Sequence, residues 1–158
     1  MRQFFYLLLI LLSISICAKA SQIAIVIDDI GYRQTDTAVL DLPGNITYSV
    51  LPHTPLGKVL ALKAREQNKE VILHIPMEAD NGQVLGPGAL TSDMSEQGIR
   101  TSLSKSFAEI PFAVGINNHM GSRLTKLYHP MAWTMRFLKE NNYLFLDSLT
   151  TTKSKAER

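Results

Sequence analysis

The chain has 158 residues, of which 46% are hydrophobic and 19% charged, a composition that predicts a single folded domain and excludes a disordered chain. The formal net charge is only +2, and no basic run follows the first twenty residues, which argues against a nucleic-acid-binding surface. The single cysteine, Cys17, excludes an internal disulfide.

Residues 1–20 have the pattern of an export signal peptide. Arg2 precedes an apolar run at 4–16, and "AKA" at 18–20 fits a small-x-small cleavage site. The run of 13 residues is shorter than the roughly 20 that a membrane-spanning helix needs. We therefore predict cleavage before Ser21, a periplasmic or secreted protein, and no stable membrane span in the mature chain. A retained N-terminal anchor or a lipid on the cysteine is the alternative.

Five apolar runs of strand length follow the signal. They are continuous rather than alternating, which is typical of parallel strands covered on both faces. The runs are "IAIVI" (23–27), "ITYSVL" (46–51), "VILHI" (71–75), "FAVGI" (112–116) and "YLFL" (143–146).

Three segments between these runs have helical periodicity. Residues 54–70 offer Thr54 as an N-cap, and residues 95–110 offer Ser95 in the same role. The third segment, residues 130–142, opens with a proline, which is favoured in the first turn of a helix.

The order of the elements predicts the fold class. Strands and helices alternate, with one long connection at 76–94, so we expect an α/β domain over residues 21–158 with a mostly parallel sheet. Five strands fit either an open sheet or most of a (β/α) barrel. Residues 148–158 begin as a loop and turn into a helical turn without an apolar face. We therefore expect a domain that is truncated, and a barrel incomplete, at the C-terminus.

Chemically active side chains follow most of the predicted strands. Because the carboxyl ends of parallel strands meet at one edge of a sheet, where ligands bind, we expect these side chains to form a site. In chain order they are Asp28 and Asp29, His53, His74, His119, and Asp147 with Ser148.

Three of these residues predict a metal site. Asp29, His74 and His119 supply one carboxylate and two imidazoles from three strands. This is the ligand type and number of an open catalytic site for zinc or a similar divalent metal, with a position left for water. Taken alone, each histidine would instead be interpreted as a hydrogen-bonded core residue, and it is the combination with the acid pair that favours a metal site.

The adjacent acids Asp28 and Asp29 need a local explanation, because successive side chains of a strand point to opposite faces. Gly31 permits a turn that would bring both to one site. One carboxylate can then bind a metal while the other takes a proton from the water on that metal. A turn followed by an N-cap is the alternative.

Four motifs resemble one known family. In order along residues 22–158, "IAIVIDDIGY", "VILHIPME", "FAVGINNHMGS" and "YLFLDS" resemble the divergent polysaccharide deacetylases, relatives of the chitooligosaccharide and peptidoglycan deacetylases. The resemblance implies a distorted (β/α) barrel.

The resemblance also implies an activity. Asp29, His74 and His119 correspond to the metal ligands, and Asp28 to the general base. The implied reaction is metal-assisted hydrolysis of N-acetyl groups on amino sugars. The implied cofactor is a divalent metal, for which the ligand set above favours zinc, and the implied partner is an acetylated polysaccharide or a peptidoglycan fragment.

The chain departs from the main deacetylase pattern in two places. A second histidine of the third-strand motif is replaced by Glu78, so either Glu78 or His119 completes the ligand set; we favour His119, because Glu78 opens the long loop. The later histidine motif that resembles the general-acid side is not in this sequence. The alternative function is therefore a non-catalytic envelope protein that binds glycan or protein, or a truncated inactive copy.

Four further residues are expected near the site. Asn117, Asn118 and Ser122 are expected to orient His119 or contact sugar hydroxyls, with turn formation as the alternative. Asp147 is expected to support the site or to cap the end of its strand.

Overall fold

The computed structural model describes residues 22–156. The predicted export signal at 1–20 lies outside the described residues. Within the described part, five parallel strands form one sheet in the order of the sequence, which confirms the α/β class. The strands are β1 (Ile25–Ile30), β2 (Ile46–Val50), β3 (Glu70–Met77), β4 (Gly115–Met120) and β5 (Leu144–Leu146).

The connections contain three α-helices and two short 3₁₀ helices. The α-helices are α1 (Gly57–Glu66), α2 (Glu96–Glu109) and α3 (Tyr128–Glu140), and the 3₁₀ helices are Gln34–Asp41 and Leu124–Lys126. None of the helices between positions 22 and 156 is long and apolar enough to cross a membrane.

The helix starts test the capping predictions. Ser95 caps α2, accepting a hydrogen bond from the backbone N–H of Gly98 at 3.2 Å, as predicted. The prediction for Thr54 is wrong, since α1 starts three residues later and its N-cap, Leu56, makes no side-chain bond. The Thr54 hydroxyl instead donates to the carbonyl of Leu51 at 2.7 Å.

The helices cover one face of the sheet. Right-handed crossovers between sequential parallel strands place all connecting helices on the same side. The buried core accordingly joins alternate strand positions to residues of the helices. Its members include Tyr48, Val50, Leu73, Ile75 and Ile116 from the strands and Leu60, Ile99, Leu103 and Leu138 from the helices.

The intervening strand positions face the opposite side and carry polar groups. Ser49, His74 and Asn117 are 0%, 3% and 1% exposed, although all three are polar. His74 and Asn117 are register partners on β3 and β4, so their side chains lie next to each other on this face. Buried polar groups need partners, and these residues supply partners for one another.

The two edge strands differ from the expectation. Coverage of both faces was expected for all five strands, but Ile25 on β1 is 50% exposed, and Leu144 and Leu146 on β5 are 43% and 41% exposed. In the described part of the chain β1 and β5 do not pair with each other, so the sheet remains open. This agrees with the expected incomplete barrel.

Candidate metal centre

Three side chains from three strands converge at the carboxyl edge of the sheet. Oδ1 of Asp29 lies 3.1 Å from Nε2 of His74 and 2.8 Å from Nδ1 of His119. The two imidazole nitrogens are 3.1 Å apart. Asp29, His74 and His119 therefore form a cluster able to hold a metal ion.

The backbone of β1 explains how neighbouring acids reach the same site. The pairing of β1 with β2 shifts register between Ile27 and Ile30, and Asp29 has a left-handed φ of 62°. This bulge redirects the Asp29 side chain, which in a regular strand would point away from that of Asp28. The turn that Gly31 was expected to permit is present, with φ of 142° at Gly31, whereas the positive φ at Asp29 was not anticipated.

His74 lies in an environment that favours its neutral form. Its side chain is 4% exposed, and burial lowers the pKa of the imidazole, while the hydrogen bond to Asn117 and the nearby Asp28 carboxylate act in the opposite direction. A neutral imidazole is the form that binds metals. The His119 ring is packed edge-on against it, with ring centroids 4.9 Å apart.

Asn117 lies between the cluster and Asp28. Its amide oxygen is 2.8 Å from Nδ1 of His74, and its amide nitrogen donates to Oδ1 of Asp28 at 2.9 Å. Asn117 was expected to orient His119, but its contacts are with His74 and Asp28. Ser49, whose hydroxyl lies 2.5 Å from the same amide oxygen, was missed. The only signal was a serine inside the apolar run at 46–51.

Three other predicted residues shape the loops around the site. Asn118 donates to the carbonyl of Met120 at 2.7 Å and accepts from the backbone N–H of Ser148 at 2.9 Å. Ser122 accepts from the N–H of Asp80, and Asp147 accepts from the N–H of Leu149. These contacts fit the turn-forming alternative.

Glu78 lies outside the three-residue cluster. Its carboxylate pairs with Nε of Arg123 at 2.9 Å and accepts from the backbone N–H of Ser92 at 2.6 Å. The hydrogen bonds to Ser92, with a smaller contribution from Arg123, lower the pKa of Glu78. The side chain thus ties the start of the long loop to its end and to the segment after β4. Of the two residues considered for the ligand set, the structure brings His119 to Asp29 and His74.

A cleft opens beside the cluster. A cavity of about 520 Å³ is lined by Asp28, Asp29 and His119 together with Tyr32 and Arg33. An adjoining cavity of about 320 Å³ extends between Tyr32 and the tip of the long loop at 84–86. Both cavities share His119, so a molecule bound in either one would lie next to the cluster.

A sequential parallel sheet with a carboxylate and two imidazoles at its carboxyl edge defines an α/β protein of the (β/α)-barrel type with a candidate metal centre. The family of divergent polysaccharide deacetylases matches residues 25–158. The chain belongs to this family, and the predicted resemblance is confirmed.

Two curated relatives and one solved structure support the assignment. The chain is 39% identical over 149 residues to the uncharacterized protein YibQ of Escherichia coli K12, an alignment that covers 94% of this chain and 47% of YibQ. An uncharacterized protein of Haemophilus influenzae is 33% identical over 137 residues, covering 86% of this chain and 49% of the relative. The chain thus spans about half the length of the curated relatives it matches.

The solved structure is the crystal structure of the uncharacterized protein ATU2773 from Agrobacterium tumefaciens C58. It superposes with a TM-score of 0.81 at 26% sequence identity, covering 89% of this chain and 59% of the other. The fold of this chain therefore resembles part of a protein whose crystal structure is known.

Proposed function

We propose that the protein is a metal-dependent hydrolase of N-acetyl groups on amino sugars in a polysaccharide or a peptidoglycan fragment. The observation that carries the proposal is the convergence of Asp29, His74 and His119 beside the second carboxylate, Asp28. Membership of the deacetylase family supports the choice of substrate class.

The donor set fits a zinc ion. Ligands at the corners of a tetrahedron, each about 2.1 Å from zinc, are separated by about 3.4 Å. The three observed separations, 2.8 to 3.1 Å, differ from this by a few tenths of an ångström, which small side-chain rotations can supply. When bound at Asp29, His74 and His119, zinc would activate a water molecule and polarise the amide carbonyl.

The remaining roles fall to residues of the chain. Asp28 is the proposed base, and its hydrogen bond from Asn117 holds the carboxylate at the edge of the cleft that His119 lines. Tyr32 is 51% exposed on the wall of this cleft, and its ring offers an apolar face to a sugar. Arg33 adds hydrogen-bond donors for hydroxyl or carboxylate groups of the substrate.

Export is part of the proposal. The pattern of residues 1–20, together with a cell-wall or extracellular glycan as substrate, supports a periplasmic or secreted location. A fractionation experiment with the tagged full chain tests it. Recovery of an uncleaved chain in the cytoplasm would contradict export.

The enzyme proposal is tested by measuring acetate release from acetylated chitooligosaccharides and from peptidoglycan, with zinc content determined on the same samples. Asp28→Asn should abolish hydrolysis and keep the metal, whereas His119→Ala should lose both. His129→Ala is the matched control, since His129 is exposed on α3 and should keep wild-type activity. If Asp28→Asn and His119→Ala were as active as the wild-type protein and His129→Ala, the proposed site would be rejected.

A second candidate function is glycan or protein binding without catalysis on the same fold. The exposed apolar residues Leu144 and Leu146 on the open edge of the sheet favour it. Saturable glycan binding without acetate release by the metal-loaded protein would support this candidate. Acetate release that depends on Asp28 would reject it.

A further inference from the structure

Asn117 connects the first four strands of the sheet and the segment after β5 through one buried amide. The side chain is 1% exposed and contacts Ser49 on β2, His74 on β3 and Asp28 on β1. Its amide nitrogen also lies 3.4 Å from the hydroxyl of Ser148, which follows β5. The contacts use both hydrogen-bonding ends of the amide, so the side chain has a defined orientation.

The chemistry of Asp28 decides which way the amide points. A carboxylate only accepts hydrogen bonds, so the group 2.9 Å from it must be the NH₂ end of Asn117. The opposite orientation would place two acceptor oxygens in contact. The amide oxygen therefore faces His74 and Ser49, and both of these must donate to it.

We propose that Asn117 is a positioning residue that holds His74 in the Nδ1–H tautomer and thereby directs the Nε2 lone pair into the cluster. Nδ1 of His74, 2.8 Å from the amide oxygen, carries the proton because that oxygen can only accept. Nε2 is then left as an acceptor 3.1 Å from Oδ1 of Asp29, which is an acceptor as well. Nε2 of the buried His74 and the exposed carboxylate of Asp29 thus face each other as two acceptors, an arrangement suited to a cation.

The same amide holds the proposed base. Its two ends contact a metal ligand, His74, and the carboxylate of Asp28, so one side chain sets the positions of both. This inference rests on the proposed function for its role in metal binding. The tautomer of His74, however, is a property of the protein without metal or substrate, and it is testable on its own.

The test uses the metal-free protein with ¹⁵N-labelled histidine. Long-range proton–nitrogen spectra separate the two tautomers, and the chain has only four histidines to assign, each by loss of its signals on substitution. The wild-type protein should show His74 as the Nδ1–H tautomer. Observation of the Nε2–H tautomer would overturn the inference without any variant being needed.

Two substitutions separate the functions of the amide. Asn117→Leu keeps the approximate volume but removes the acceptor, so His74 should shift toward Nε2–H and zinc affinity, measured against a chelating dye, should fall about 10- to 100-fold. Asn117→Asp keeps an acceptor for His74 but repels Asp28. It should preserve the tautomer and bind zinc within a few-fold of wild type, while hydrolysis falls.

Ser49→Ala is the matched control. It removes the other donor to the same amide oxygen and leaves the bond to His74, so the tautomer should stay Nδ1–H. Wild-type zinc affinity in Asn117→Leu would overturn the inference. If the tautomer is as stated but the wild-type protein hydrolyses no substrate, the positioning role stands and the enzyme proposal alone is rejected.

Discussion

Substitution of Glu78 by glutamine tests whether this residue holds the long loop in place or binds the metal. The carboxylate bonds to the N–H of Ser92 and pairs with Arg123, and it lies outside the cluster of ligand atoms. Glu78→Gln keeps the size of the side chain and removes its charge. We therefore expect lower stability with unchanged zinc affinity.

The magnitude follows from the two contacts of Glu78. A hydrogen bond to a charged acceptor contributes about 1.5–3 kcal/mol and a neutral one about 0.5–1.5 kcal/mol, so the bond to Ser92 should weaken by about 1 kcal/mol. The pair with Arg123 adds at most about 1 kcal/mol, because the Arg123 side chain is 52% exposed. With a urea m-value of about 2 kcal/mol per molar, a loss of about 1–2 kcal/mol shifts the unfolding midpoint by about 0.5–1 M.

The pH dependence provides a second readout. The folded-state pKa of Glu78 is below its reference value of 4.5, so the stabilisation is complete above about pH 4.5 and is lost as the pH falls through the folded-state pKa. The midpoint difference between wild type and Glu78→Gln should therefore be present at pH 7 and shrink on acidification. Glu66→Gln, at an exposed glutamate of α1, is the control and should show little difference at either pH.

Two results would refute this account of Glu78. One is a variant as stable as wild type at pH 7, which would mean that the contacts with Ser92 and Arg123 contribute nothing. The other is a tenfold or greater loss of zinc affinity, which would make Glu78 part of the ligand set.

Three further predictions test the turn after β1, the hydrophobic core and the proposed metal ligands. In a urea titration, Gly31→Ala should lower the free energy of unfolding by more than about 2 kcal/mol, because φ is +142° and an added Cβ would lie 2.2 Å from the Thr54 hydroxyl. The control, Gly82→Ala, should lose only about 1–2 kcal/mol, because φ is +68° but the added Cβ would meet open space. Leu103→Ala, at a fully buried position of α2, should lose about 2–5 kcal/mol, and a loss below 1 kcal/mol would contradict the core described here. Zinc at about 100 times its dissociation constant should stabilise the wild type by about 2.7 kcal/mol in a thermal melt, and the same shift in His119→Ala would contradict the proposed ligand set.

The strands and the class of fold follow directly from the sequence, because apolar runs of this length have few alternatives in a chain with regular helical segments between them. All five runs overlap strands of the sheet. The Ser95 cap could also be predicted from the sequence, since the capping bond joins residues only three apart. These features depend on short segments of sequence, which is why they could be predicted.

The finer geometry of the site depends on contacts between distant segments. The partners of Asn117 follow from the register that places His74 beside it, and no local pattern specifies that register. The left-handed φ of Asp29 was not anticipated, because such a backbone is normally sought at glycine, and the turn was assigned to the nearby Gly31, which also has a positive φ. Thr54 resembles an N-cap in sequence, but its hydroxyl closes a turn with Leu51.

At Asp29 the left-handed backbone and the proposed metal site favour different residues, since the backbone favours glycine and the site needs a carboxylate. Glycine there would relieve about 1–2 kcal/mol of conformational strain and abolish the carboxylate. A substitution at this position that raises stability therefore also removes one of the three proposed ligands.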